Sequence, residues 1–580
     1  MARDIHAQAV PLPKFPMSAF DLGNSLKFCS SAGKMNCHYV EEVIPSDIAH
    51  IRTDLFIRLD PLTFPIMHKL KVRQNFFFVP TRLVLGDELT EEFFSCNDLG
   101  AKLSYFRADG NVLDSGTNWM GPDTLFDMMC GEPVTNPASM LQYVIPNPIP
   151  FYMYQLIWKD WFADEIFDAT EIASVEASIQ AYRSAGLNSF IQDDFDALDF
   201  RSVSYSKDRF TSAQPDAQRV GEVYLMNPLR TEFVDGSSFG TGLSLVSVGG
   251  TATSTPPGVA VAQESGGSYR ALRASLTIDE LWDEMAVQRF LNSLNEFGNE
   301  RYVEILAGQF GVVSADARLQ RPQWLGGNEV SVNISEVLQT SETSSSSPLG
   351  AFAGRGLVAG RGRDITFRVP EHGFILGIMT IVPENGYASG SPRWMFKQSP
   401  LDFAMPRFNN LGEQAVFAGE LKSDHLETNS QDFNEFGYQP QYDEYRSHPS
   451  RSTMDFRKSA FLPWHLDRKF VSVPPLNDNF IHISPSGTNR IFNVADNADH
   501  YRIHAFHKAM YVRPIPLIQR RKLNNGSNDL SQVRTLAGNS HGSTFHNFHT
   551  KILRNLAGKD FNISNKKFHT RAYQGQDDEK

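Results

Sequence analysis

Two histidine pairs, two glycine patterns and several adjacent carboxylates are the residues of this 580-residue chain whose types and spacing could do chemistry. "GSSFG", Gly236 to Gly240, fits the G-x-S-x-G pattern of an acyl-transfer nucleophile. That pattern works only on a sharp turn between an apolar strand and a helix. Here the flanks are polar and glycine-rich, so no nucleophile elbow is expected. "GRGLVA", Gly354 to Ala359, fits a dinucleotide-binding pattern but follows "SSSSPLGAFA", and no helix opens behind it. Gly33-Lys34 lacks the earlier glycine of a phosphate loop. His504 and His507 are spaced i,i+3, and on a strand they point to opposite faces and cannot share a metal. His546 and His549 have the same spacing, with no acidic or cysteine ligand nearby. Asp193-Asp194 and Glu41-Glu42 read as solvated faces. The sequence therefore predicts no catalytic residues, no metal and no cofactor.

A different chemistry is written in the C-terminal segment. "QRRKL" (519–523) and "TFHNFHTKILRNLAGKDFNISNKKFHTRAY" (544–573) interleave cations with aromatic rings. Arg520, Arg521, Lys522, Lys551, Arg554, Lys559, Lys566, Lys567 and Arg571 are candidates to neutralise phosphates. Phe545, Phe548, Phe561, Phe568 and Tyr573 are candidates to stack on unpaired bases. No module that reads base sequence accompanies them, so the expected contact is nonspecific. The alternatives are a solvated basic terminus and one that docks on the acidic body of another copy. Residues 501–576 hold 13 Lys and Arg against 2 Asp and Glu, whereas the whole chain carries a net charge of −12. The first 500 residues are thus strongly acidic, and two surfaces with different partners are expected. Six histidines between 501 and 576 add positive charge below about pH 6.5.

The elements that must position these residues are mostly strands. Aromatics make 12% of the chain, and 41 Gly with 32 Pro imply many turns. The class expected is all-β with long loops. "HYVEEVI" (38–44), "IRTDLFIRL" (51–59) and "LKVRQNFFFV" (70–79) read as strands, the last buried on both faces toward its end. "DITFRVPEHGFILGIMTIVP" reads as a strand pair turning at "EHG", and "HYRIHAFHKAMYVRPIP" (500–516) as a late strand ended by prolines. Helices are expected at 150–163, at 278–297 from its capping-box spacing, and in short form at 301–311. Residues 1–37 read as an extended arm, and 235–268 as a glycine- and serine-rich loop. Cys29, Cys37, Cys96 and Cys130 are too scattered for a disulfide scaffold or a zinc site, so free thiols are expected. No apolar signal segment and no membrane span are expected. More than 250 residues of helix and loop between strands suit a compact domain only if neighbouring copies order them.

"DPLTFPIMHKLKVRQNFFFVPTRL" carries a resemblance. Pro61-Leu62, Pro65, Met67-His68, Phe77 to Pro80 and Arg82-Leu83 resemble a block of the microvirus major capsid proteins, gokushovirus-like branch. "FDLG" (20–23), "EEVIPSD" (41–47), "PFYMYQLIWKDWFAD" (150–164), "KDRFTSAQPDAQR" (207–219) and "RYVEILAGQFGVVSADARLQRPQWLGG" (301–327) are similar to family blocks in the same order. So are "NNLGEQAV" (409–416), "FGYQPQYDEYRSHPSR" (436–451) and "LNDNFI" (476–481), and the resemblance covers about 20–520. It implies a single eight-stranded jelly roll, an icosahedral T=1 shell of about sixty copies around circular single-stranded DNA, and no enzyme activity. It also implies a virion protein assembled in a bacterial cytoplasm, with a DNA pilot protein, a small basic DNA-binding protein and a host surface receptor as partners. The domains implied are an arm, 1–37; a jelly-roll capsid domain, 38–520, with a variable surface insertion at 235–268; and a basic tail, 521–580. The rival reading is a β-sandwich carbohydrate-binding protein or glycoside hydrolase, which needs two facing carboxylates in a cleft.

Overall fold

A computed structural model describes residues 15–515, apart from 96–99, 109–112, 115–116, 119, 131, 135–142, 193–194, 217–230, 233–260, 264–268, 272, 275–314, 317, 339–351, 407–412, 426–430 and 494–498. The chain divides into a unit Met1–Pro516, which holds every described residue, and a unit Leu517–Lys580. The helices expected at 278–297 and 301–311, the "GSSFG" pattern, Asp193-Asp194, Cys96, His546 and His549 lie outside the described residues, as does most of 235–268.

Two antiparallel sheets form the body. The first contains β1 (Ser18–Asp21), β2 (Asn24–Ser30), β4 (Ile48–Leu59), β7 (Asn333–Leu338), β8 (Phe352–Gly360), β9 (Ile365–Arg368) and β11 (Tyr501–Arg513). Its path runs β1, β11, β4, β8, β7, with β2 also on β11 and β9 also on β4. The second runs β6 (Gln323–Ser331), β5 (Leu70–Pro80), β10 (Gly373–Pro383), β3 (Asn36–Val43). Early and late strands meet in the first sheet, where Tyr501 pairs with Leu59 and Val512 with Ile48.

Alternation sets what each strand buries. β4 turns Ala49, Ile51, Thr53, Leu55, Ile57 and Leu59 inward, and β11 turns Tyr501, Ile503, Ala505, His507, Ala509 and Tyr511 inward. They pack on Leu70, Val72, Phe76 and Phe78 of β5 and on Ile375, Met379 and Ile381 of β10. The Tyr39 and Tyr511 hydroxyls meet at 2.9 Å across this interior.

The second sheet is covered on its other face by helices, which explains the uninterrupted Phe76-Phe77-Phe78-Val79 run. Phe76 and Phe78 face the sandwich, while Phe77 and Val79 join a separate cluster with α1 (Ile149–Trp161) and α2 (Ala169–Ala185). Phe77 lies 5.5 Å from the Trp161 ring and 6.2 Å from Phe162. Pro150 stands in the first turn of α1, where no amide bond is lost. Its polar tips are satisfied against backbone: Tyr154 donates to the Met35 carbonyl at 2.7 Å and Trp158 to that of Ser202 at 3.1 Å. No helix is read at 169–185 from sequence. Only Val175, Ile179 and Tyr182 mark its buried stripe, among small and polar residues.

Two expectations are corrected. β9 and β10 are not a pair: β9 joins β4 in the first sheet and β10 joins β3 and β5 in the second. The intervening backbone crosses between sheets, with Val369 bonded to Asp47 and Ser46 and the His372 carbonyl accepting from Thr81. The stretch read as an arm contributes two strands to β11, and Ala32, Met35 and Cys37 are fully buried. In keeping with the sequence reading, no helix opens behind "GRGLVA", which lies inside β8, whose residues 357–360 pair with β4.

Candidate assembly surface and nucleic-acid interface

A satellite core outside the sandwich holds long connections in one shape. Phe210, Tyr387, Val416, Leu421, Phe436, Phe480 and Ile481 form its apolar part. Beside it Arg209 and Glu420, 2% and 1% exposed, pair at 3.0 Å. Arg209 also reaches Asp443 at 3.1 Å, Arg393 reaches Glu420 at 3.1 Å, and Lys397 reaches Glu444 at 2.7 Å. Burial alone would lower the Arg209 pKa, but the carboxylates of Glu420, Asp443 and Glu444 more than reverse it, so the guanidinium stays charged. Breaking such a pair leaves a buried charge uncompensated. Gly390 takes a left-handed φ of +80°, and a Cβ there would stand 2.1 Å from the Glu420 carbonyl oxygen.

Loops around this satellite core leave apolar side chains exposed to solvent. Trp394 is 71% exposed, Met454 88% and Val471 92%, with Phe403, Phe433 and Tyr445 also exposed. Scattered exposed hydrophobics are ordinary, but large apolar rings concentrated on ordered loops mark an interaction surface. These residues follow no period and stand among charges, so sequence reasoning did not single them out. Their signal was composition alone, as in "STMDFRKSAFLPW" (452–464).

Next to them, Met67, His68, Asn385, Arg451, Ser452, His465 and Asp467 line a cavity of about 390 Å³. Serine, histidine and aspartate meet there without a catalytic order. Ser452 donates directly to Asp467, not to a histidine. His68 bonds the Glu384 carbonyl at 2.8 Å and lies 3.4 Å from Asp467; His465 bonds the Phe456 carbonyl at 2.9 Å. Burial would raise the Asp467 pKa, but bonds from His68 and Ser452 hold it below the usual carboxylate value. Both imidazoles are thus used in tying loops together.

The other sequence candidates separate. His504 and His507 do face opposite ways: His507 is buried, 2.8 Å from the Thr53 hydroxyl and stacked on His38 at 5.3 Å, while His504 is half-buried on the outer face. Burial pushes the His507 pKa down to about 4 and that of His38 well down, helped by the proximity of the other ring. Glu41 is not a solvated carboxylate: it pairs with Arg513 at 3.0 Å, and Arg513 also pairs with buried Asp47 at 3.1 Å. Cys29 and Cys37 are free thiols, and burial pushes that of Cys37 up to about 12. Arg520, Arg521, Lys522, Lys551, Arg554, Lys559, Lys566, Lys567 and Arg571 all lie outside the described residues.

Residues 9–523 match the family described as "Capsid protein (F protein)". Capsid protein VP1 of Bdellovibrio phage phiMH2K is 29% identical over 76% of this chain and 83% of its own length. Capsid protein VP1 of Chlamydia phage 1 is 27% identical over 88% and 96%, and that of Spiroplasma virus 4 is 25% identical over 88% and 94%. The hydrolase alternative gives way to this match. The chain belongs to the capsid protein (F protein) family: it is a structural, non-enzymatic capsid protein of the microvirus type, a virion component that builds a shell with its own copies.

Proposed function

We propose that about sixty copies of this chain, each an eight-stranded jelly roll, close into a T=1 icosahedral shell around a circular single-stranded DNA genome. The observation that carries the genome side of this reading is the charge division: 13 cations against 2 acids over 501–576, in a chain of net charge −12. A basic, aromatic segment suits an inner surface in contact with phosphates and unpaired bases, through Arg520, Arg521, Lys522, Lys551, Arg554, Lys559, Lys566, Lys567 and Arg571. The jelly-roll domain takes in the strands from Ser18 onward and runs to about residue 520, followed by the tail 521–580. The segment 235–268 projects outward toward a host receptor. A DNA pilot protein and a small basic DNA-binding protein complete the particle, which assembles in the bacterial cytoplasm. Truncation after Leu523 is expected to leave particles visible by electron microscopy but with reduced DNA, read from the ratio of absorbance at 260 and 280 nm. Particles with unchanged DNA content would remove the tail's role. Deleting 235–268 is expected to leave shells intact and lower adsorption to host cells.

A further inference from the structure

An apolar loop and an acidic helix lie at opposite ends of β5. Residues 453–460, "TMDFRKSA", are exposed without a break, and Met454 and Phe456 stand there beside Arg457 and Lys458. Lys469 joins them by donating to the Arg457 carbonyl at 2.7 Å, and exposed Val471 follows. The loop is fixed to the Leu70 end of β5, since the Met67 amide donates to the Trp464 carbonyl at 2.7 Å. Beyond the Pro80 end comes the helix Asp87–Phe94, "DELTEEFF", which fully buries none of its residues. Asp87, Glu88, Glu91 and Glu92 are exposed, and no cation among the described residues pairs with them. Phe94 is exposed beside them, its ring stacked on His372 at 4.2 Å.

We propose that Met454, Phe456 and Val471, flanked by Arg457, Lys458 and Lys469, dock on the helix Asp87–Phe94 of a second copy of this chain. Eleven residues of strand span roughly 34 Å between the two anchoring points, so the patches are joined to opposite ends of β5 and are set to meet those of another copy. Two different, complementary patches make a head-to-tail contact, the kind that generates closed rings when the rotation closes. Phe94 and the methionine and phenylalanine supply the dry centre, and the opposite charges set register and partner choice. Asp455 pairs with Lys458 at 2.5 Å, but this pair is exposed on both sides and so held weakly. The inference rests on the self-assembly reading above and names the surfaces that carry it.

The test uses the full chain and three variants. Glu88→Lys with Glu91→Lys and Glu92→Lys is expected to lower particle yield at least tenfold by sedimentation, with unchanged circular dichroism. Arg457→Glu with Lys458→Glu and Lys469→Glu is expected to do the same. All six changes in one chain restore yield to within about threefold of the parent. On parent particles assembled from isotope-labelled and unlabelled copies, carbodiimide is expected to join Lys458 or Lys469 to Glu88, Glu91 or Glu92 in mixed-isotope pairs. Charge-reversed chains that assemble normally, or parent particles without those cross-links, overturn the contact. Parent protein that forms no particles at all overturns the self-assembly reading instead.

Discussion

At the scale of single residues, two buried groups respond to substitution or pH in a defined direction. His507 has a folded pKa of about 4, below its ordinary value of 6.5. The unfolded chain therefore binds more protons as pH falls from about 6.5 toward 4, and stability is lost across that window. For His507 alone the loss is on the order of 3 kcal/mol by pH 4, and His38, stacked on it, adds in the same direction. Melting temperatures measured from pH 7 to 4 should fall, and His507→Gln, which keeps a partner for Thr53, should flatten the slope. Glu420→Gln tests the other group. It leaves Arg209 under-compensated and is expected to cost about 3 kcal/mol or more, confined to the loops around 386–481. Limited proteolysis should cut those loops first while the sheets stay protected. His507 was marked in the sequence by its strand position, but the Glu420 site was not, because Glu420 and Arg209 are 211 positions apart and nothing local marks them as a pair.

At the scale of elements, the Phe76 to Val79 run is the clearest case of sequence legibility. A strand with apolar residues at consecutive positions must be covered on both sides, and it is. What covers each side was not legible, since the same pattern suits helix or sheet. Phe77→Ala and Phe78→Ala should each destabilise by about 3–5 kcal/mol, yet through different layers. Hydrogen exchange is expected to rise in α1 and α2 for Phe77→Ala and in β9 for Phe78→Ala, whose ring lies 5.2 Å from Phe367. Equal exchange changes in both layers for both variants would contradict the separation of the two cores. β9 and β10 teach the opposite lesson. Close spacing and a turn signal suggested a hairpin, but burial of both strands was better met by sending them to opposite sheets.

At the scale of the whole molecule, the acidic body and basic C-terminal segment set the expected salt response. If exposed charge pairs help to join copies, particle yield in 1 M salt should drop relative to 0.1 M, because the screening length shortens from about 10 Å to about 3 Å. Light scattering across that range measures it, and salt-insensitive assembly would point to apolar contact alone. By itself the sequence determined the strand class, the positions of β3, β4, β5, α1 and β11, the charge division and the family likeness, because each is carried by local period, composition or contiguous blocks. Only the tertiary structure decided which sheet each strand joins, that the N-terminal stretch closes against β11, which charged groups are buried together, and which aromatic rings remain outside. Those depend on groups hundreds of positions apart competing for the same dry interior, and no local window of sequence contains that competition.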